Sequence, residues 1–62
     1  MNNVLLLNEN SRTKVFGSIK KVLKEYVLTD NEKELNYNQV ARRLQNGRYK
    51  FDKITIVRKP VN

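Results

Sequence analysis

The side chains best suited to recognition chemistry are amides and guanidinium groups that lie close together in the second half of the chain. At helical spacing they fall on one face of a helix. Asn and Gln form paired hydrogen bonds with adenine in the major groove of DNA, and Arg forms them with guanine. The same residue types are also ordinary on a helix face that is turned to solvent. This polar face consists of Asn38, Gln39, Arg42, Arg43, Gln45 and Asn46.

A basic stretch follows directly. Arg48, Lys50 and Lys53 come just after the polar face, and bases in that position are suited to phosphate contacts, which set position without reading sequence. Tyr49 and Phe51 alternate with them, a pattern that also fits stacking on single-stranded nucleic acid. We expect Phe51 to fill the core instead.

Charge is concentrated in the same half. The 62 residues include 13 Lys and Arg, 6 Asp and Glu and no His, for a net charge of +7. Residues 1–40 carry six bases and five acids, whereas residues 41–62 carry seven bases and one acid. Such asymmetry favours a polyanionic partner, most simply nucleic acid. The alternative is a basic surface that only maintains solubility.

Several classes of site are disfavoured by composition. The chain has no Cys and no His, which excludes a disulfide, a structural zinc site and His-based acid–base catalysis. Glu32 and Glu34 fall in a polar segment, where solvated carboxylates are the norm. We therefore expect no enzyme activity, no cofactor and no metal. The longest apolar run, Val4–Leu7, is too short for a membrane span or a signal peptide, so we expect a cytoplasmic protein without a membrane partner.

Two amphipathic helices must position these groups. After the N-cap residue Ser18, apolar residues recur at helical spacing and predict helix one over residues 19–28. Asn36 and Gln39 form a capping-box pattern that predicts helix two over residues 37–46, ended by Gly47. A longer second helix is disfavoured because Leu35 would project about 160° away from its apolar stripe. The two stripes consist of Ile19, Val22, Leu23, Tyr26 and Val27, and of Tyr37, Val40, Ala41 and Leu44.

Short strands are predicted on either side of the helices. We expect a strand over residues 3–8, a turn over residues 9–11 and an extended segment over residues 13–16. Residues 29–35 are predicted to be a loop, with an acidic helical turn as one option within it. The tail is predicted to be strand-like, with a hairpin turn at Asp52–Lys53 and an end at Pro60.

These elements predict one small α+β domain over residues 1–62. Its order is strand–helix–helix–strand, or a terminal hairpin, with a helix-turn-helix-like pair on a short antiparallel sheet formed by the first and last strands. Because this core is thin, a second copy of the chain is a candidate partner. The predicted core is Val4, Leu6, Phe16, Ile19, Val22, Leu23, Tyr26, Val40, Leu44, Phe51, Ile54 and Ile56.

The order of motifs resembles a known DNA-binding module. A leading strand is followed by VFGSIKKV (residues 15–22), then NYNQVARRL (residues 36–44), a Gly and a short β tail. This resembles the nuclease-associated modular DNA-binding repeat of phage and intron-encoded homing endonucleases, and similar small phage or mobile-element proteins. The resemblance implies that helix two reads DNA through Asn38, Gln39, Arg42 and Arg43. The chain departs from the family in the length of residues 29–35 and in lacking a Gly near Asp52.

Three hypotheses follow for function. The first is a small double-stranded DNA-binding protein, such as a phage or plasmid regulator of transcription, that uses Asn38, Gln39, Arg42, Arg43, Arg48, Lys50 and Lys53. The second is a phage-type inhibitor that binds a host protein of a nucleic-acid-processing or immune complex, since the chain is small and lacks catalytic groups. The third is RNA binding through the tail aromatic residues.

Overall fold

Two short helices and six strands make up a small α+β fold. The computed structural model describes residues 2–61, and the side chains of residues 3–60. A hairpin separates the helices and another precedes them, so the predicted strand–helix–helix–strand order was too simple. The elements are β1 (Asn2–Glu9), β2 (Arg12–Phe16), α1 (Ile19–Glu25), β3 (Thr29–Asp30), β4 (Lys33–Glu34), α2 (Tyr37–Arg43), β5 (Arg48–Lys50) and β6 (Thr55–Val61).

The main sheet has four antiparallel strands in the order β2-β1-β6-β5. The predicted pairing of the first and last strands is confirmed, because β1 lies against β6 with Leu7 opposite Ile56. Strands β3 and β4 form a separate two-stranded hairpin. The main sheet therefore contains residues from both ends of the chain, and α1, the β3–β4 hairpin and α2 connect β2 to β5.

Two hairpins turn on residues with positive φ. The predicted turn after Glu9 is confirmed: Asn10 and Ser11 have φ values of 50° and 66°. Asn31 and Glu32, with φ values of 53° and 68°, join β3 to β4. Positive φ at both central positions is the mark of a type I′ turn, whose twist matches the strands it joins. The loop predicted for residues 29–35 is instead mostly the β3–β4 hairpin, whose turn is formed by Asn31 and Glu32, so the optional acidic helical turn is absent from it.

The predicted tail hairpin is present. The Phe51 N–H donates to the Ile54 carbonyl at 2.7 Å, which closes a turn at Asp52 and Lys53. Neither residue has positive φ, so this turn needs no Gly.

Pro60 does not end the tail strand as predicted, because it lies within β6 opposite Asn3. The Arg58 N–H donates to Gly47, on the side away from β1. Two residues further on, the Pro60 nitrogen points the same way, where β5 no longer runs, so no ladder hydrogen bond is lost.

The register of β1 is the reverse of the prediction. Leu5 and Leu7 are buried, whereas Val4 and Leu6 lie on the opposite side of the sheet. Residues 4–7 are all apolar, so no alternation of apolar and polar residues indicates which of their side chains face the core. The cross-strand partners make the choice, because Leu5 pairs with Phe16 and Leu7 with Ile56.

Helix α1 begins as predicted and ends three residues early. The Ser18 hydroxyl accepts a hydrogen bond from the Lys21 N–H, and the helix stops at Glu25. At about 100° per residue, a helix continued to Leu28 would turn that side chain away from the apolar stripe. The extended backbone after Tyr26 instead buries Leu28 and leaves Val27 65% exposed.

Helix α2 shows the predicted capping box. The Asn36 side chain accepts from the Gln39 N–H at 2.9 Å, and the Gln39 side chain accepts from the Asn36 N–H at 3.0 Å. The helix ends at Arg43 rather than Asn46, since tighter hydrogen bonds between residues three apart follow. Tyr37, the first residue of the predicted apolar stripe, is 44% exposed, because it lies at the start of the helix.

The core lies between the helices and one face of the main sheet. Of the predicted core residues, Leu23 and Tyr26 are only partly buried and pack against its edge, while Leu28 and Leu35 join it. Across residues 2–61 neither helix is long and apolar enough to cross a bilayer. The buried core is Leu5, Leu7, Phe16, Ile19, Val22, Leu28, Leu35, Val40, Leu44, Phe51, Ile54 and Ile56.

Candidate nucleic-acid interface

The predicted contact residues divide between two sides of the molecule. Tyr49 faces the helix layer, since its ring contacts Phe51 in the core. Side chains alternate along a strand, so Arg48 and Lys50 project from the face of the sheet that no helix covers. Val40 and Leu44 point into the core from α2, and at helical spacing Arg42 then points away from the sheet. The structure does not bring Arg42 together with Arg48 and Lys50.

Arg43 is held within the fold. Its Nε donates to the Asp30 carboxylate at 2.9 Å, its Nη1 donates to the Gln39 carbonyl at 3.2 Å, and its guanidinium lies 5.9 Å from the centre of the Tyr49 ring. The Tyr49 hydroxyl also donates to Asp30, at 2.7 Å. These hydrogen bonds, from Tyr49 first and then Arg43, lower the pKa of Asp30. Arg43 therefore ties α2 to β3 and β5.

The remaining polar face of α2 is small. The Gln39 side-chain oxygen is used in the capping box, which restrains that side chain. Asn38 and Arg42 are exposed and form no side-chain hydrogen bond or ion pair within residues 3–60. Helix α2 thus offers one unpaired base to a partner.

Lys53 lies among acids rather than among bases. It borders a cleft with Glu32 and Asp52, and a second cleft with Glu9 and Glu25. Its position in the β5–β6 turn places it away from the alternating strand positions of Arg48 and Lys50.

Asp52, the single acid of the basic half, has a structural role. Its carboxylate accepts from the Glu32 N–H at 2.8 Å, the Thr29 hydroxyl at 2.8 Å and the Asn31 N–H at 2.9 Å. These hydrogen bonds, of which the one from the Glu32 backbone has the largest effect, lower the pKa of Asp52. Asp52 therefore fastens the β3–β4 turn to the β5–β6 turn.

The tail aromatic residues are committed to the fold. Phe51 is buried as predicted, and Tyr49 is half-buried, with its ring between Phe51 and Arg43 and its hydroxyl on Asp30. The Phe51 ring is therefore inaccessible to an unpaired base, and the Tyr49 ring is held by its contacts with Phe51, Arg43 and Asp30. The support that these residues lent to single-strand and RNA binding is thereby removed.

The six acids of the chain gather on and beside the β3–β4 hairpin, a region we call the acidic end. Asp30, Glu32 and Glu34 belong to the hairpin, and Asp52 is hydrogen-bonded to it. Glu9 and Glu25 line a cleft with Thr29 of the same hairpin.

Most bases lie outside the acidic end. Lys14 pairs with Glu25 at 3.6 Å and Arg43 with Asp30, and among residues 3–60 these are the ion pairs. Arg42, Arg48, Lys50, Arg58 and Lys59 form none.

The uncovered side of the main sheet, which we call the open sheet face, gathers residues that the sequence patterns did not bring together. Lys59 is the base that the sequence prediction missed. The alternation of Thr55, Val57 and Lys59 with buried Ile54 and Ile56 would have placed it there. The open sheet face comprises Val4, Leu6, Asn8, Thr13, Val15, Arg48, Lys50, Thr55, Val57 and Lys59.

A scan of protein-family models and searches of curated proteins and of solved structures found no match to this chain. The resemblance to the nuclease-associated repeat stays a prediction, and a function has to be inferred from the residues and their geometry.

Proposed function

We propose that the chain is a small DNA-binding protein that takes double-stranded DNA as its partner. The observation that supports this most directly is the separation of charge. Six of the seven bases of residues 41–60 are without an ion pair in the described structure, and five of these six lie away from the acidic end, where all six acids lie. Three of them, Arg48, Lys50 and Lys59, share the open sheet face. Unpaired bases that share a surface are what phosphate binding requires, because each phosphate contact displaces condensed counterions.

Duplex rather than single-stranded DNA is favoured by the packing of the two tail aromatic residues within the fold. Binding of single strands relies on exposed rings on which bases stack, and Tyr49 and Phe51 are both packed within the fold. The exposed amide, hydroxyl and basic side chains are instead suited to backbone and groove contacts. A helix-turn-helix-like mode, in which α2 enters the groove, is one form of this proposal.

The test is the salt dependence of binding to a short fluorescent duplex, followed by anisotropy. With three phosphate contacts, the logarithm of the affinity should fall with a slope of about −2.7 against the logarithm of the salt concentration. Raising salt from about 50 to about 200 mM then weakens binding about 40-fold. Absent binding at low salt, or binding that does not change with salt, would refute the proposal.

A protein-binding inhibitor is the competing function, and it predicts a different result. Such a chain would retain a stoichiometric protein partner from a host lysate after nuclease treatment, and would show no salt-dependent affinity for purified duplex. Carrying out both measurements on the same preparation separates the two functions.

A further inference from the structure

We propose that the duplex is bound by the open sheet face, with the β5–β6 ribbon lying in the major groove, and that α2 is not the reading element. This inference rests on the proposed function and specifies which surface performs it.

The open sheet face carries charge of one sign. Its charged side chains are Arg48, Lys50 and Lys59, and no acid lies on it among the described residues. All three bases belong to β5 and β6, which form one edge of the sheet. A negatively charged partner is therefore attracted to this edge, and the acidic end repels it from the region around the β3–β4 hairpin.

The spacing of these bases suits a groove. Arg48 lies opposite Val57 and Lys50 opposite Thr55, so Lys59 is four strand positions beyond the Lys50 pair. At about 3.3 Å per residue and about 4.8 Å between strands, Lys50 and Lys59 lie about 14 Å apart. The major groove is about 12 Å wide and admits a two-stranded ribbon. Because this separation runs mainly along the strands, Lys50 and Lys59 can contact phosphates at two positions along the groove in which the ribbon lies.

Uncharged groups on the open sheet face are suited to contacts with the edges of nucleobases. Thr55 lies opposite Asn8 in β1, and Asn8 lies opposite Thr13 in β2, whose hydroxyl donates to the Asn8 side chain. Hydroxyl and amide groups can donate to and accept from bases, and apolar side chains such as Val57 can contact the thymine methyl group. The open sheet face thus combines positioning and reading groups on one surface.

Helix α2 is less suited to the same task. Its seven residues span only about 10 Å. Arg43 is bound to Asp30 and Gln39 is used in the capping box, which leaves Arg42 as its unpaired base. The β3–β4 hairpin, with Glu32 and Glu34, is joined to α2 through the Arg43–Asp30 pair. A phosphate backbone lying on α2 would meet those acids.

The experiment compares two triple variants of equal charge. The sheet variant is R48Q/K50Q/K59Q, and the matched control is K20Q/K21Q/K24Q, which removes three exposed bases from α1. A third variant, Arg42→Gln, tests α2. Each is titrated with the same labelled duplex over a range of salt, and its thermal unfolding is measured to show that the fold is kept. The wild type is also titrated with duplex RNA of the same sequence.

The sheet variant should reduce the salt slope by about 2.7, whereas the α1 variant and Arg42→Gln should change it by less than about 1. An equal loss in both triple variants, or the largest loss in Arg42→Gln, overturns the sheet proposal while leaving DNA binding intact. Tighter binding of duplex RNA also overturns it. Failure of the wild type to bind any duplex instead refutes the proposed function itself.

A measurement on the wild type guards against variants that fail to fold. In an NMR titration with the duplex, amides of residues 48–50 and 55–59 should shift most. Shifts concentrated in residues 37–43 would assign binding to α2 and overturn the inference.

Discussion

The register of β1 determines which side chains form the open sheet face, and it can be tested by two substitutions in adjacent residues. Leu7 is 1% exposed and packs opposite Ile56, while Leu6 lies on the uncovered side. Leu7→Ala removes the same atoms as Leu6→Ala, so the two variants differ only in the surroundings of the side chain. The structure predicts a large loss of stability for Leu7→Ala and a small one for Leu6→Ala.

The size of the expected stability loss follows from the burial of the Leu7 side chain. Replacing a fully buried Leu by Ala costs about 2–5 kcal/mol, and a substitution on the uncovered face costs about 1 kcal/mol or less. A chain of this length has a total stability of about 3–9 kcal/mol, so Leu7→Ala consumes a large part of it. With a urea m-value of about 1 kcal/mol/M, the unfolding midpoint should fall by about 2 M or more for Leu7→Ala.

The assay is urea unfolding followed by circular dichroism, with all variants measured at one protein concentration. If Leu7→Ala does not fold at all, Ile56→Val provides a milder change at a buried position of β6 and should cost about 0.5–1.5 kcal/mol. A loss from Leu6→Ala that equals or exceeds the loss from Leu7→Ala would refute the register. It would also place Leu5 and Leu7 on the uncovered side and remove the basis for the open sheet face.

Two further predictions concern charge and the backbone. The pKa values of Asp30 and Asp52 lie below 3.8 in the folded chain, so the stability that these carboxylates add is present above pH 3.8 and is lost as the pH falls through their folded-state pKa values. Urea midpoints measured between about pH 5 and pH 2 should fall in the wild type and fall less in D30N/D52N; a level wild-type profile would contradict this. Gly47 has a φ of 91° whereas Gly17 has no positive φ. Measured by thermal unfolding, Gly47→Ala should therefore reduce the stability by about 1–2 kcal/mol, and Gly17→Ala should reduce it much less. Equal losses would show that a side chain at position 47 does not strain the backbone.

The helices show which structural features local sequence patterns can predict. Ser18, Asn36 and Gln39 cap them as the sequence predicts, because capping hydrogen bonds join residues within one turn. Val40 and Leu44 are buried for a similar reason, since helical spacing alone puts them on one stripe. The tail hairpin also followed from nearby residues. These features depend on neighbours in the chain and are readable from it.

The helix ends and the β1 register depended on distant partners. Leu28 is buried because residues after Glu25 become extended, and the local signals conflict there, since helical spacing puts Val27 on the apolar stripe but turns Leu28 away from it. The four apolar residues of β1 likewise contain no alternation, so Phe16 and Ile56 decide which of them face the core.

The candidate interface was likewise predictable from the sequence only in part. The sequence by itself determined that residues 41–62 carry nearly all the excess positive charge, because that is a property of composition. Only the tertiary structure decided that Arg42 and Arg48 lie on opposite sides and that Arg43 is bound to Asp30, whereas strand alternation in the sequence already indicates the face on which Lys59 lies. These outcomes follow from the pairing of β5 with β6 and from the β3–β4 hairpin packing beside α2. Both bring together residues that are separated along the chain, which composition and periodicity do not encode.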